Sequence, residues 1–382
     1  MKVEALYVHI PFCKVKCNYC DFLSFTGCTD ELQHRYIEAL KKEALLNKKK
    51  LDLEVNLKSI FFGGGTPTCL SSGLLVQLLE FIQANFPIDQ GAEISVEANP
   101  GTVNKEKLRH LFEAGVNRLS FGVQSFNKEM LKKLGRVHSP EDIYASYALA
   151  REVGFTNVNF DLMYGLPGQD LKDWERTLIK ALELNLEHIS SYQLKIERGT
   201  PFGQQMEEGA LQEFDDELAL NMYKLADSYL GKNGFRHYEV ANFAKLGYEC
   251  RHNRIYWHTK PYLGLGPGAH SFLPPHRVEN LGVLSSYISM LEKGDNPPSI
   301  SEELTLPTLM SETMFMGLRL LEGVNLNDFY CRFGQDARSV FPRAIKKCLS
   351  KGLIELNNGY IKLTHLGLYL GNLVFEEFLY DN

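Results

Sequence analysis

Short apolar runs alternate with amphipathic helical patterns over the first two-thirds of this chain, and that alternation limits its folds more than any other feature. Strand-like runs fall at Ala5–Ile10, Ser59–Gly63, Glu93–Ala98, Arg118–Val123, Asn157–Met163 and Ile189–Ile196. Helical patterns lie between them at Asp30–Lys48, Ser72–Asn85, Asn104–Ala114, Pro140–Val153 and Leu171–Leu184. Asp30, Asn104 and Ser139 stand where N-caps are needed, and Gly115 and Gly154 where helices stop. Repeated βα units predict an α/β fold with a parallel sheet and crossover helices. Six units are too few for a closed eightfold barrel. They predict a partial (β/α)6 barrel with its chemistry at the C-terminal ends of the strands.

The informative residues sit at those ends. After the first run come Cys13, Cys17 and Cys20, spaced Cys-x3-Cys-x2-Cys. Three thiolates on one tight loop can grip a metal centre from one side, and a [4Fe–4S] cubane so held keeps one iron open. A zinc site of three cysteines with His9 or His34 competes with this reading, although the spacing is not a pair of C-x2-C knuckles. Gly63-Gly64-Gly65-Thr66-Pro67 follows the second run, and glycine there lets a ligand approach the backbone while exposed N–H groups face a carboxylate. It has neither the Lys-Ser/Thr ending of a P-loop nor the dinucleotide fingerprint. Glu97 and Asp161 are acceptors suited to ribose hydroxyls, Gln124 both donates and accepts, and Arg136 can clamp a carboxylate unless it is simply a surface arginine. Any one of these is ordinary turn chemistry; five on one face of a sheet suggest a site.

The chain has 382 residues, a net charge of −6 and eight cysteines. Such a balance gives no general affinity for nucleic acid. Cysteines this sparse do not form a secreted disulfide framework. No apolar leader or 18-residue apolar run occurs, so a cytoplasmic protein without a transmembrane segment is expected, with peripheral membrane contact left open. Lys48-Lys49-Lys50 reads as a solvated helix end.

Taken together, these motifs resemble the radical S-adenosylmethionine (SAM) enzymes. Cys13, Cys17 and Cys20, with Tyr19 before the last and the lead-in Tyr7–Cys13, are similar to the branch that includes oxygen-independent coproporphyrinogen III oxidase. The stretches Phe62–Thr68, Ser95–Pro100, Phe121–Phe126 and Phe160–Pro167 resemble that branch in the same order. The oxidase carries a further cysteine two residues after the third. Phe22 stands here instead, which points to the related HemW heme chaperones. The resemblance covers roughly residues 5–290 and implies a [4Fe–4S] cluster on Cys13, Cys17 and Cys20, with SAM chelating the open iron. It places Tyr7 on the SAM side of the cluster and Gly64, Gly65 and Thr66 at the methionine moiety. Glu97, Gln124, Arg136 and Asp161 would hold the rest of SAM, with Tyr19 and the backbone near Lys195 by the adenine.

Past a helical pattern from Leu211 to about Leu230 and an extended run His237–Asn242 comes Cys250-Arg251-His252-Asn253-Arg254-Ile255-Tyr256-Trp257. This stretch reads as irregular, unlike a core helix. It resembles the His-Asn-x-x-Tyr-Trp motif of the HemW family. That resemblance makes His252 the candidate heme ligand, with His270 an alternative and Cys250 and His258 weaker ones; a structural histidine is the simpler reading. Asp295–Pro307 reads as a linker. Helical patterns at Leu309–Leu321, Asn327–Phe333 and Val340–Lys351 then precede two short strands around Ile354–Leu356 and Tyr360–Leu363, turning at Asn357-Asn358-Gly359. This is a winged-helix-like α+β domain. Residues 301–382 hold eight Lys/Arg against ten Asp/Glu, a net −2, so DNA binding is disfavoured despite the wing. The expected units are 1–245 (barrel), 246–300 (connecting region) and 301–382 (C-terminal domain).

The resemblance implies reductive SAM cleavage as the scaffold's chemistry. It favours a heme chaperone whose partners are heme and an acceptor such as a respiratory or heme-storage protein. A coproporphyrinogen III oxidase is the competing enzyme reading, opposed by Phe22. A winged-helix regulator sensing iron–sulfur status is the third, opposed by the acidic C-terminal domain.

Overall fold

The computed structural model describes residues 2–51 and 54–379. Six parallel strands lie side by side in chain order: β1 (Lys2–Ile10), β2 (Glu54–Gly64), β3 (Ile88–Ala98), β4 (Arg118–Gln124), β5 (Val158–Tyr164) and β6 (His188–Gln193). Helices Asp30–Leu51, Ser72–Asn85, Lys105–Glu113, Pro140–Val153 and Leu171–Leu182 cross over between them. The local chemistry explains the helix starts. Asn104 accepts from the Lys107 amide, Ser139 forms a capping box with Asp142, and Gly154 ends its helix at φ 118°.

The sheet is twice as wide as the sequence suggests. Beyond β6 come β8 (Asn242–Ala244) and, outside it, β7 (Arg236–Glu239), both antiparallel additions. On the other side, β9 (Tyr262–Leu265) pairs parallel with β1, and β10 (His270–Leu273), β11 (His276–Asn280) and β12 (Ser299–Glu303) extend the sheet antiparallel. The stretch expected to connect two domains thus belongs to the sheet. Leu263, Leu265, Tyr287 and Leu291 join the same core as Val8, Ile60 and Phe160. The expected linker Asp295–Pro307 contains β12, all of whose residues are exposed; an edge strand of that kind shows no apolar alternation. Arg251–Trp257 is a helix with His252 and Ile255 buried, not an irregular segment. Its polar residues conceal a buried face.

A second core forms around Met314, Phe329, Ile345, Ile361 and Phe378. It holds helices Leu306–Gly317, Leu326–Phe333 and Pro342–Ser350 against β13 (Val324–Asn325), β14 (Ile354–Asn357) and β15 (Tyr360–Leu363), a small antiparallel sheet. Two backbone bonds stitch this unit to β7: the Leu321 amide donates to the Tyr238 carbonyl, and the Val240 amide to the Arg319 carbonyl. Among the described residues, no helix is long and apolar enough to cross a membrane.

Candidate functional site

The cysteine loop leaves β1 at Ile10 and is pinned at both ends, because the Cys13 amide donates to the Phe25 carbonyl and the Phe25 amide to that of Pro11. Midway, the Asn18 amide donates to the Leu134 carbonyl. The glycine stretch packs directly on this loop. A Cβ on Gly65 would lie 2.9 Å from the Phe12 carbonyl oxygen, and Gly64, at φ 112°, would place one 2.5 Å from the His9 ring. Glycine is required here for close packing. The expected free amides are absent: Gly64 N–H donates to Glu97 Oε2 (3.2 Å), Gly65 N–H to the Ile10 carbonyl and Thr66 N–H to the Phe12 carbonyl. None of the three is open to a carboxylate.

These elements enclose a cavity of about 670 Å³ at the C-terminal ends of the strands. Cys13, Cys17, Cys20, Tyr19, Gly64, Gly65, Thr66, Glu97, Gln124, Arg136, Asp161 and Lys195 all line it. Tyr7 does not. Its hydroxyl donates to His9 Nδ1 (3.0 Å) while its ring lies against Phe61 and His252. Lys195 reaches the cavity only at its base, since its side chain is 83% exposed and paired with Glu197.

The cavity walls are preset. Thr66 Oγ1 lies 3.6 Å from Cys13 Sγ and accepts from Asn99 Nδ2 (2.7 Å). Arg136 turns one amino group to Asn99 Oδ1 and the Gly122 carbonyl and the other to Cys17 Sγ (3.5 Å). Gln124 sits at φ 66°, where the β4–β5 register slips, and accepts from the Tyr192 hydroxyl (2.7 Å). A bulge of this kind re-aims a side chain at a strand end. Asp161 accepts from Ser120 Oγ (3.2 Å) and Asn159 Nδ2 (2.8 Å). Burial, then the charge of Asp161, pushes Glu97 up to about 8, and burial also raises Asp161. The guanidinium of Arg118, 2% exposed, pulls both back.

Asn99 and Tyr192 were not anticipated. Both carry a signal in hindsight: Asn99 lies two past Glu97, and Tyr192 alternates with Ser190 along β6, so each shares a face with a polar neighbour.

Zinc fits poorly. His9 donates from Nε2 to the Leu23 carbonyl and accepts at Nδ1 from Tyr7, while His34 is exposed on its helix. Among the described residues no group of three or more His, Cys, Asp or Glu converges as a single ion's shell would. A cubane needs no such convergence, because each cysteine binds a separate iron.

The heme-ligand candidates lie outside the cavity. His252 is 1% exposed, stacked on Phe61 at 5.0 Å, with Nδ1 at Ser59 Oγ (2.8 Å) and Nε2 at the Tyr256 hydroxyl (2.7 Å). Burial lowers it to about 3. Both nitrogens are engaged, so this structure offers no open ligand there. Cys250 is fully buried and donates to Glu93, His258 faces Glu322 at 3.5 Å, and His270 is exposed on β10.

The radical SAM superfamily profile matches residues 7–181, and the HemN C-terminal domain profile matches 304–370. The chain is 40% identical over 378 residues to heme chaperone HemW of Bacillus subtilis (strain 168), covering 99% of each. It is 36% identical over 382 residues to heme chaperone HemW of Lactococcus lactis subsp. lactis (strain IL1403), covering 100% of this chain and 98% of that one. Among solved structures, coproporphyrinogen III oxidase (HemN) from Escherichia coli, described as a radical SAM enzyme, aligns with a TM-score of 0.85 at 25% identity, over 98% of this chain and 90% of that one. The oxidase shares the fold, but full-length identity of this order is found with the chaperones, and the chain belongs to the HemW family of the radical SAM superfamily.

Proposed function

We propose that this protein is a heme chaperone that carries a [4Fe–4S] cluster on Cys13, Cys17 and Cys20, binds SAM exchangeably beside it, and passes heme to an acceptor protein. The observation that carries the cofactor reading is the single cavity lined by all three cysteines, Glu97, Gln124, Arg136 and Asp161. The Gly65 packing supports it, since a Cβ there would push the start of the cysteine loop at Phe12 away from that wall. A cluster held by Cys13, Cys17 and Cys20 would, when reduced, supply the one electron that cleavage of the SAM sulfonium takes. Arg136 places a cationic nitrogen 3.5 Å from Cys17 Sγ, beside the sulfur that would bind iron. Asp161 and Glu97 present acceptors to ribose hydroxyls. With the glycine-stretch amides engaged, those residues offer close backbone approach to the methionine moiety. The relatives' names support heme as the cargo.

The shared HemN fold favours a second reading, decarboxylation of coproporphyrinogen III. Phe22, 65% exposed at the cavity, stands against it, since it replaces the oxidase's further cysteine. The test uses anaerobically reconstituted protein with SAM, reductant and coproporphyrinogen III, run beside a heme titration and beside the Cys17→Ala variant. Heme binding without decarboxylation, and loss of the cluster's visible absorbance in the variant, are expected. Catalytic formation of protoporphyrinogen would overturn the chaperone reading, and an intact cluster spectrum in Cys17→Ala would overturn the ligand assignment.

A further inference from the structure

A hydrogen-bond line runs from the cavity through the barrel interior to the helix Arg251–Trp257. Asp161 Oδ1 accepts from Asn159 Nδ2 at 2.8 Å. Asn159 Oδ1 lies 2.6 Å from His188 Nδ1, and His188 Nε2 lies 2.8 Å from the Tyr238 hydroxyl. The Cys250 amide at the start of that helix donates to the same hydroxyl at 3.2 Å. The line has one proton assignment. It is set from the Asp161 end, because a carboxylate only accepts: Asn159 turns its nitrogen to Asp161 Oδ1 and Ser120 Oγ (2.7 Å) and its oxygen to His188. His188 must then carry its proton on Nδ1 and donate to Asn159 Oδ1. Nε2 accepts, and the Tyr238 hydroxyl, whose oxygen also takes the Cys250 amide, donates to it. Asn159 and His188 are 1% and 0% exposed, so no solvent competes.

We propose that His188 is a positioning residue for the ligand held at Asp161: its Nδ1–H holds the Asn159 amide oxygen, the amide nitrogen aims the Asp161 carboxylate, and the Tyr238 hydroxyl holds the far nitrogen of the ring. The inference rests on the reading of Asp161 as the ribose acceptor. If Nε2 carried the proton instead, Nδ1 would face Asn159 Oδ1 lone pair to lone pair. The amide would turn over, and its oxygen would meet the Asp161 carboxylate. Tyr238 lines no part of the cavity, yet its hydroxyl steadies the ring that does this. The Tyr238 carbonyl also accepts the Leu321 amide, so the residue that steadies His188 is one of those bonded to the C-terminal domain.

The experiment is a double-mutant cycle on the cluster-loaded full chain, with SAM affinity read by calorimetry. Asp161→Asn alone tests the underlying site reading; unchanged affinity there removes the ribose role and the proposal with it. Given a loss there, Tyr238→Phe and His188→Leu should each weaken SAM about tenfold, and His188→Gln, which can both donate and accept, should recover most of it. In the Asp161→Asn background the Tyr238 and His188 effects should vanish. Effects that persist undiminished there would mean general packing and would overturn the proposal, as would full affinity in Tyr238→Phe. Nitrogen-15 spectra of histidine-labelled protein give a readout free of binding. They should show His188 protonated at Nδ1 in the parent chain and in Tyr238→Phe alike, and an Nε2–H form in the parent would refute it.

Discussion

Gly64→Ala tests the closest packing in the molecule. At φ 112° the residue lies outside the basins open to side-chain-bearing residues, which costs about 1–3 kcal/mol. The new methyl would also meet His9 Cε1 and Nδ1 at 2.5 Å. His9 is 6% exposed and tied to Tyr7 and Leu23, so moving it breaks two buried hydrogen bonds worth about 1 kcal/mol each. The sum is about 3–5 kcal/mol. Urea unfolding of the apo chain, followed through the fluorescence of fully buried Trp174, would measure it. Gly73→Ala is the matched control: that glycine lies in helix Ser72–Asn85 with nothing within 4 Å of a new Cβ, so it should be neutral or stabilising by up to about 0.5 kcal/mol. A Gly64→Ala protein within about 1 kcal/mol of the parent would refute the steric argument and free His9 to move.

Three further outcomes are expected. Glu97 is raised to about 8 by burial, so the native state holds a proton the unfolded chain releases near 4.5; this group's contribution falls as pH rises from 4.5 to 8, on the order of 5 kcal/mol in all. Glu97→Gln should therefore match the parent in thermal melting near pH 5 and exceed it at pH 8, and parallel profiles would contradict this. Arg277 clamps Glu312 with two 2.7 Å bonds between β11 and the C-terminal domain; Arg277→Ala strands a 7% exposed carboxylate, should cost about 2–3 kcal/mol, and should speed proteolysis near residues 295–305, whereas unchanged cleavage would mean the clamp is idle. His252→Ala should lower stability by about 2–4 kcal/mol with heme affinity unchanged, and an affinity loss at full stability would return His252 to the role of iron ligand.

What the sequence made legible was whatever carries period or punctuation. The five crossover helices announced themselves through amphipathic spacing and through caps such as Ser139 and Gly154. The cavity was legible because its residues sit at strand ends, one after another. The four added strands β9–β12 were not, since strands of four or five residues leave too few alternations to register, and β12 buries none of its side chains. The Arg251–Trp257 helix was missed because its start is capped from afar: Glu93 on β3 accepts from the Arg251 and His252 amides, at 3.0 and 3.2 Å. No local cap could have signalled it. Likewise, the amides of the glycine stretch are engaged by groups far along the chain, Gly64 by Glu97 and Gly65 and Thr66 by the carbonyls of Ile10 and Phe12, which spacing cannot show.

The position of β1 has a consequence in time. Its two neighbours are β2 and β9, with Ala5 opposite Ser59 on one side and Tyr262 on the other. A nascent chain therefore keeps one edge of β1 bare until residue 265 has been made. At ~5–20 residues per second, that delay after Cys20 is on the order of ten to fifty seconds. Through it the cysteine loop leaves a strand paired on one side, although almost every residue that lines the cavity has by then been made. A chain stalled near residue 245 would hold that loop against a nearly complete wall on a strand whose other edge is bare.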